Sequence, residues 1–303
     1  NSILIAAAAL TLASACNSTN KNEMAENPFL APYETPYEIP PFDEISYGHY
    51  LPALDSGIAQ KKAQILEIVS NPDSATFENT IMTLEHSGEI LDKVAYVFFA
   101  LDESNSSPEM VEIAEKFYPA YSQFADEMTM NDSLFARIKT VYDNRESLDP
   151  DQKRAVEDYY KDFTRNGALL SPEKKEELKA VNTELAELYL TFNKNLLNAT
   201  NAFEIVVNDS TELAGLPASS IAQAAEAAKE RNLGEGNWVF TLHAPSRLPL
   251  LQYADNRELR RKMYEGYTTL ATSGECNNLP IINKVLQART KKAALLGFEN
   301  YGA

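Results

Sequence analysis

Apolar residues recur every three or four positions along most of this chain, the spacing typical of amphipathic helices. The longest such stretch covers residues 172–199, and at about 1.5 Å per residue it would form a helix roughly 40 Å long. Its apolar face is formed by Leu178, Val181, Leu185, Leu188 and Phe192. A face of that length needs a neighbouring helix, and we expect the segment 152–166 to lie antiparallel to it.

Three helix starts are marked by the same short combination of residues. A capping side chain precedes a proline suited to the first helical turn, and an acidic residue follows. These starts are Ser107-Pro108, Asp149-Pro150 and Ser171-Pro172. Apolar periodicity also predicts helices over residues 54–68, 76–98, 218–231, 256–271 and 281–296. Pro119 is expected to kink or split the helix that begins near Ser107.

Only two segments have strand character. Residues 203–207 and 238–242 are rich in β-branched and aromatic side chains, and the alanine-rich helix 218–231 separates them. Residues 28–45 contain too many prolines for a helix or a central strand, so we predict an extended arm over the folded body. Together these patterns predict a mainly α protein with one small β insert.

Composition narrows the possible partners. The chain has 303 residues, enough to bury a sizeable core. Its 44 acidic residues outnumber 27 lysines and arginines, giving a formal net charge of −17. Such a surface repels phosphate backbones and anionic lipid headgroups, so we expect no nucleic-acid partner. The charge also serves solubility and does not identify a substrate.

The beginning of the chain has the pattern of an export signal. An apolar run at residues 3–13 and a small-residue segment ending at Ala15 predict a signal peptide at residues 1–15, with a truncated start and too short to span a membrane. Cys16 then resembles the lipid-attachment site of bacterial lipoproteins, followed by a polar tether at residues 16–27. The alternative is ordinary cleavage after Ala15, which leaves Cys16 unmodified. We therefore expect an exported bacterial protein, lipid-anchored in the periplasm or the outer membrane.

Candidate catalytic side chains are few. His86 and Glu89 would share one helical face, but a catalytic zinc site usually needs three protein ligands. His49 is predicted to be structural and His243 to lie in a turn. Cys276 is expected to be an unpaired, inert thiol. No nucleophile elbow or phosphate-binding loop is present.

A cluster of basic residues near the end of the chain is better explained by structure than by ligand binding. It consists of Arg257, Arg260, Arg261 and Lys262. Glu258 and Glu265 lie at helical spacing from these residues, so we predict a solvated helix face with internal ion pairs.

Several motifs occur in a fixed order along the chain. The clearest are Thr-Phe-Glu-Asn-Thr-Ile at 76–81, Glu-Leu-Ala-Gly-Leu-Pro at 212–217 and Leu-Leu-Gly-Phe-Glu-Asn-Tyr at 295–301. Weaker ones include Phe-Thr-Arg-Asn-Gly-Ala at 163–168 and Arg-Glu-Leu-Arg at 257–260. Together they resemble the amino-terminal part of the thimet-oligopeptidase-like zinc metallopeptidases, most closely the bacterial peptidyl-dipeptidases.

That resemblance implies a long-helix scaffold of two lobes flanking a channel for short peptides, with this chain forming the first lobe and the approach to the second. In the family, a His-Glu-x-x-His helix and a downstream glutamate hold zinc, and the motif glutamate acts as general base. Residues 28–303 contain no such motif. We therefore expect the catalytic domain and the ligands of the single zinc ion to lie after residue 303, and we assign no catalytic or metal residue here.

The implied function is hydrolysis of short peptides by the full-length protein, as a peptidyl-dipeptidase that releases C-terminal dipeptides. Two alternatives remain open: a broader oligopeptidase that cuts internal bonds, and a non-enzymatic helical lipoprotein that binds peptides. The full-length protein is expected to be a monomer that contacts the membrane only through a lipid anchor. This piece alone is expected to be inactive.

Overall fold

The computed structural model describes residues 27–303, and helices form most of it. The helices are α1 (Tyr50–Ser70), α2 (Glu89–Ser104), α3 (Pro108–Thr129), α4 (Asp132–Asp143), α5 (Pro150–Arg165), α6 (Pro172–Ala202), α7 (Ala218–Glu230), α8 (Ala244–Tyr253), α9 (Arg257–Thr268) and α10 (Leu279–Leu296). Strands β1 (Glu204–Val207) and β2 (Trp238–Thr241) form the described sheet. The predicted fold class, mainly α with one small β insert, is confirmed. The predicted signal peptide and Cys16 lie outside the described residues.

The described chain divides into two compact units. The first contains the chain up to Ala186 together with Lys291–Ala303, and the second is Glu187–Thr290. Helices α6 and α10 each contribute residues to both units.

An aromatic cluster forms much of the core of the first unit. Phe98 of α2 stacks on Phe117 of α3 with ring centroids 4.0 Å apart. Tyr50, at the start of α1, packs edge-on against Phe98 and also contacts Phe29 at 5.4 Å. Phe29 belongs to the proline-rich segment, which forms short 3-10 turns rather than a helix. Because Phe29 is fully buried, it anchors the predicted arm to the folded body.

The helix predicted over residues 76–98 is interrupted, so that prediction is wrong. A π-helical turn at Phe77–Met82 and a short helical turn at Thr83–Glu85 come first, and α2 begins only at Glu89. Gly88 separates them with a φ of 83°, a left-handed conformation that glycine adopts without strain. Its N–H donates to the side chain of Gln64 on α1 at 2.8 Å, which holds the break in place.

Prolines have different effects on the other helices of this unit. The three predicted starts are confirmed, since Ser107 and Asp149 accept backbone N–H groups as caps and α6 begins at Pro172. Pro119 does not split α3, which continues through it to Thr129. Helix α4, between α3 and α5, has no counterpart in the sequence prediction.

The prediction that the segment 152–166 is the antiparallel neighbour of the long helix α6 is also wrong. Helix α5 packs instead on α4, where the rings of Tyr142 and Tyr160 stack 3.9 Å apart. In the first unit, a lysine of α6 forms a hydrogen bond and an ion pair with residues at the end of α3 and the start of α4. The ammonium group of Lys175, which is buried, donates to the carbonyl of Met130 at 3.0 Å and pairs with Asp132.

The second unit is built around the two-stranded sheet. β1 and β2 are antiparallel, with Glu204 opposite Thr241 and Val207 opposite Trp238. Helix α7 lies between the strands in sequence, as predicted, and packs against β2. The core of the second unit consists of buried side chains from the strands, from α7, α8 and α9, and from the segments that connect them: Ile205, Val207, Leu213, Leu216, Ala224, Phe240, Leu242, Leu250, Ala254, Leu259 and Met263.

Candidate functional site

The three histidines have separate local environments. His86 lies just after the helical turn at Thr83–Glu85, and Gly88 interrupts the helix before Glu89. His86 and Glu89 therefore do not share a helical face, contrary to the prediction. His49 accepts a bond from the Ser46 N–H at 3.1 Å and caps a 3-10 turn. His243 lies at the start of α8, in the predicted turn, within 3.2 Å of the Thr241 hydroxyl.

Residues 27–303 contain no group of three or more histidine, cysteine, aspartate or glutamate side chains arranged to hold a metal ion. Cys276 is half-buried and is not in a disulfide. In the basic cluster, Arg261 pairs with Glu258 and Glu265, as predicted. Arg260 has a different role, since its guanidinium donates to the carbonyls of Ala254 and Asp255 just after α8.

The sequence motifs have structural roles within their own units. Asn79 of the first motif forms a reciprocal capping box with Thr76. In the second motif, Glu212 accepts a bond from Asn256 at 2.9 Å, and Asn256 itself caps α9. The last motif ends α10 at Gly297, whose φ is 83°.

Two further motifs meet in the first unit. The guanidinium of Arg165 lies over the ring of Phe298, 5.8 Å from its centre. Phe163, at the start of the Arg165 motif, is buried and stacks on Phe135 of α4. These motifs therefore stabilise the packing of the scaffold.

A polar chain in the first unit connects three helices. The amide of Asn182 on α6 donates to the carboxylate of Asp126 on α3 at 2.7 Å, and its carbonyl oxygen accepts from the ammonium of Lys292 on α10 at 2.8 Å. Asp126 is only 8% exposed. Burial raises the pKa of Asp126, although the bond from Asn182 and the charge of Lys292 act in the opposite direction. Burial also lowers the pKa of Lys292.

Sequence analysis did not predict this set of hydrogen bonds, because the residues that form it are far apart along the polypeptide. Asp126 and Asn182 are 56 residues apart, and Asn182 and Lys292 are 110 apart. Periodicity reports only which residues share a helical face, so it carries no signal for such a pairing.

The second unit has a groove of about 460 Å³ between β1 and α9. Its lining comprises Phe203, Glu204, Ile205, Val206, Lys262, Glu265, Gly266 and Thr269. Two of its carboxylates are already paired: Glu204 with Arg231 at 3.2 Å, and Glu265 with Arg261 at 2.9 Å. Lys262 has no carboxylate within ion-pair distance among residues 27–303. The volume falls in the range of ligand pockets, so this groove is the candidate binding site of the second unit.

Comparison with known proteins identifies the relatives of the chain. It is 39% identical over 280 residues to the dipeptidyl carboxypeptidase of Escherichia coli (strain K12), a match covering 91% of this chain and 41% of that protein. It is 32% identical over 282 residues to the oligopeptidase A of Salmonella typhimurium, with the same two coverages. The chain is a homologue of dipeptidyl carboxypeptidases and oligopeptidases A. The resemblance predicted from the ordered motifs is confirmed.

A plant relative extends the comparison. The probable cytosolic oligopeptidase A of Arabidopsis thaliana is 30% identical over 292 residues, covering 93% of this chain and 40% of that protein. The chain thus spans about two fifths of the length of the curated relatives it matches. No family model matches it.

The predicted export and lipid anchoring are contradicted by these relatives. They are dipeptidyl carboxypeptidases and oligopeptidases A, one of which is named as cytosolic, so the prediction of an exported lipoprotein is wrong. Within residues 27–303, no helix combines the length and the apolar character needed to cross a membrane.

Proposed function

We propose that residues 28–303 are the helical amino-terminal region of a zinc peptidase that hydrolyses short peptides. The observation that carries the proposal is the match to the E. coli dipeptidyl carboxypeptidase over 91% of the chain. The motifs that led to the resemblance support it further, because they stabilise the scaffold and belong to no local catalytic cluster. We propose that the activity resides in the full-length protein, since this chain spans only 41% of that relative.

Zinc enters this proposal through residues outside the described chain. When bound in such a peptidase, zinc polarises the scissile carbonyl and activates a water molecule. The residues described here do not fit the ion, because no three candidate ligands come together among residues 27–303. We therefore propose that its ligands and the general base lie in a catalytic region after residue 303.

The specificity we propose is release of dipeptides from peptide carboxyl termini. Identity is higher to the dipeptidyl carboxypeptidases of E. coli and Salmonella typhimurium, at 39% and 36%, than to the oligopeptidases A, at 32%. A second candidate is a broader oligopeptidase that cuts internal bonds. The 32% identity to two bacterial oligopeptidases A over the same length favours it.

Product analysis distinguishes these two activities. The protein encoded by the complete gene would be incubated with one peptide sequence in three forms: unblocked, acetylated at the amino terminus, and amidated at the carboxyl terminus. A peptidyl-dipeptidase cleaves the acetylated peptide in steps of two residues from its carboxyl end and loses activity on the amidated one. Internal cleavage of the amidated peptide at an undiminished rate would support the oligopeptidase. Absence of cleavage of all three forms by the zinc-loaded protein would contradict both.

A further inference from the structure

The groove beside β1 lies along the edge of that strand which faces away from β2. Its lining includes four consecutive residues, 203–206, and one face of α9, but no residue of β2. A groove on the exposed face of the sheet would be lined by side chains of both strands. Here it is the backbone edge of β1 that borders the groove.

The hydrogen bonding of Thr241 shows which backbone groups of β1 point into this groove. The Thr241 N–H donates to the hydroxyl of Ser246 at 3.0 Å, so it points away from β1. Thr241 is opposite Glu204, and in an antiparallel ladder both members of a non-hydrogen-bonded pair direct their N–H and C=O outward. Because the pattern alternates, the N–H and C=O of Val206 also point outward.

The two edges of the sheet differ in how they are covered. On the β2 edge, the hydroxyl of Ser246 accepts the outward N–H of Thr241. On the β1 side, no backbone bond from a turn or loop within residues 27–303 reaches Val206, and this residue is 47% exposed. A strand edge with free N–H and C=O groups is a template for pairing with another extended chain.

The chemistry of the groove defines the occupant. Strand addition supplies main-chain hydrogen bonds, and side-chain contacts beside the edge supply specificity. The carboxylates of Glu204 and Glu265 each pair with an arginine, and Arg261 is shared between Glu265 and Glu258, whereas the exposed Lys262 has no acidic partner among the described residues. Lys262 is therefore the charged group of the lining that is free to pair with an acidic group on the occupant.

We propose that the free edge of β1 binds an extended peptide segment as a third strand, pairing with Val206 and placing an acidic side chain near Lys262. The proposal concerns binding only and does not depend on peptide hydrolysis. Val206 is the position at which it can be tested, because a proline is tolerated on an edge strand where the replaced N–H faces outward. Val206→Pro removes that donor and should leave the β1–β2 ladder intact.

The binding experiment uses the full 303-residue chain and the probe fluoresceinyl-aminohexanoyl-Thr-Val-Thr-Glu-Thr-Val-Thr-amide, with binding followed by fluorescence anisotropy. Val206→Pro should weaken binding about tenfold, since it removes a main-chain bond and obstructs the incoming strand, while Val206→Ala should change it less than about twofold. Lys262→Gln should weaken binding of this probe about threefold, and should leave unchanged the affinity for a probe with glutamine in place of glutamate.

Probe analogues provide a second test that needs no folded variant. One analogue is N-methylated at the odd residues and another at the even residues, so one of them loses every amide that faces β1. Unequal binding of the two to the unmodified chain supports strand addition. The fluorescence emission of Trp238, the single tryptophan, shows whether the Val206→Pro chain keeps the fold of the parent chain. No binding at about 1 mM protein, equal binding of both analogues, or undiminished binding by a folded Val206→Pro chain would overturn the proposal.

Discussion

The guanidinium of Arg137 on α4 donates to the side-chain oxygen of Asn79 at 3.0 Å, joining two residues 58 positions apart. Its other terminal nitrogen donates to the carbonyls of Asn71 and Asp73 at 3.0 and 3.1 Å. One side chain thus holds the loop that follows α1. Asn79 also caps the π-helical turn through Thr76, so the first of the ordered motifs depends on a contact with a distant helix.

Replacing Arg137 should loosen this loop. We expect Arg137→Met to lower the free energy of unfolding by about 2 kcal/mol, because three acceptors lose a charged donor. Arg137→Lys should recover only part of that loss, since an ammonium cannot reproduce the planar fork. Urea denaturation of the chain, followed by circular dichroism, measures both values.

The matched control is Arg154→Met, which removes an exposed arginine that pairs with Asp158 on its own helix. Such surface pairs contribute less than about 1 kcal/mol. Equal losses for the Arg137 and Arg154 variants would show that Arg137 does not organise the loop.

Gly266 permits the close approach of α9 to Phe203. A Cβ at position 266 would overlap the Phe203 ring. Alanine normally stabilises a helix relative to glycine by about 1 kcal/mol, yet we expect Gly266→Ala to destabilise the chain by about 2 kcal/mol through overpacking. The melting temperature of the variant, compared with the parent chain, measures the sign of the effect.

Two comparisons test the cause of that effect. Gly234→Ala places a Cβ where no atom lies within 4 Å, and it should be nearly neutral. Adding Phe203→Ala to Gly266→Ala should make the glycine replacement harmless, because the overlapping ring is gone. A Gly266→Ala chain as stable as the parent would refute the close packing.

Lys292 should stabilise the first unit in a pH-dependent way. The ammonium charge of Lys292 offsets part of the cost of burying the Asp126 carboxylate. Lys292→Met should therefore destabilise the chain by about 2 kcal/mol at pH 7. The pKa of Asp126 is raised, so the stability from its protonated form is full below the ordinary value of 3.8 and is lost as the pH rises through the raised pKa. The pKa of Lys292 is lowered, so its contribution is full above 10.5 and falls as the pH drops through the lowered value.

The destabilisation by Lys292→Met should therefore shrink as the pH falls towards 4, where Asp126 takes up a proton and no longer needs a cation. Denaturant titrations from pH 4 to pH 8 would follow it. Lys291→Met, which removes the exposed neighbouring lysine, serves as the control. A loss for Lys292→Met that stays constant over this range would contradict the coupling to Asp126.

Local chemistry was sufficient to predict much of the fold. Helix starts at Ser107, Asp149 and Ser171 follow from capping residues beside prolines, and the strands follow from β-branched and aromatic runs. The break at Gly88 was not predicted, because the apolar spacing continues across it and the bond to Gln64 joins another helix. Pro119 was expected to kink or split α3, yet the helix continues through it to Thr129.

Features of the candidate sites were harder to predict. The pairing of Asp126 with Asn182 and the free edge of β1 both depend on tertiary contacts between distant segments, to which periodicity is blind. The ordered motifs indicated the relatives correctly, but they carry packing contacts such as Arg165 over Phe298. Motif order therefore identified a family resemblance without locating a reactive group.

The proposal that these residues are scaffold, and that zinc binding and hydrolysis need the rest of the protein, can be tested with two purified proteins. These are the 303-residue chain and the product of the complete gene. Zinc content would be measured by mass spectrometry after dialysis, and hydrolysis of an acetylated pentapeptide would be followed with and without a chelator. We predict one zinc ion per chain and chelator-sensitive hydrolysis for the complete protein, and neither for the 303-residue chain. Chelator-sensitive hydrolysis by the 303-residue chain itself would contradict the proposal that these residues are scaffold.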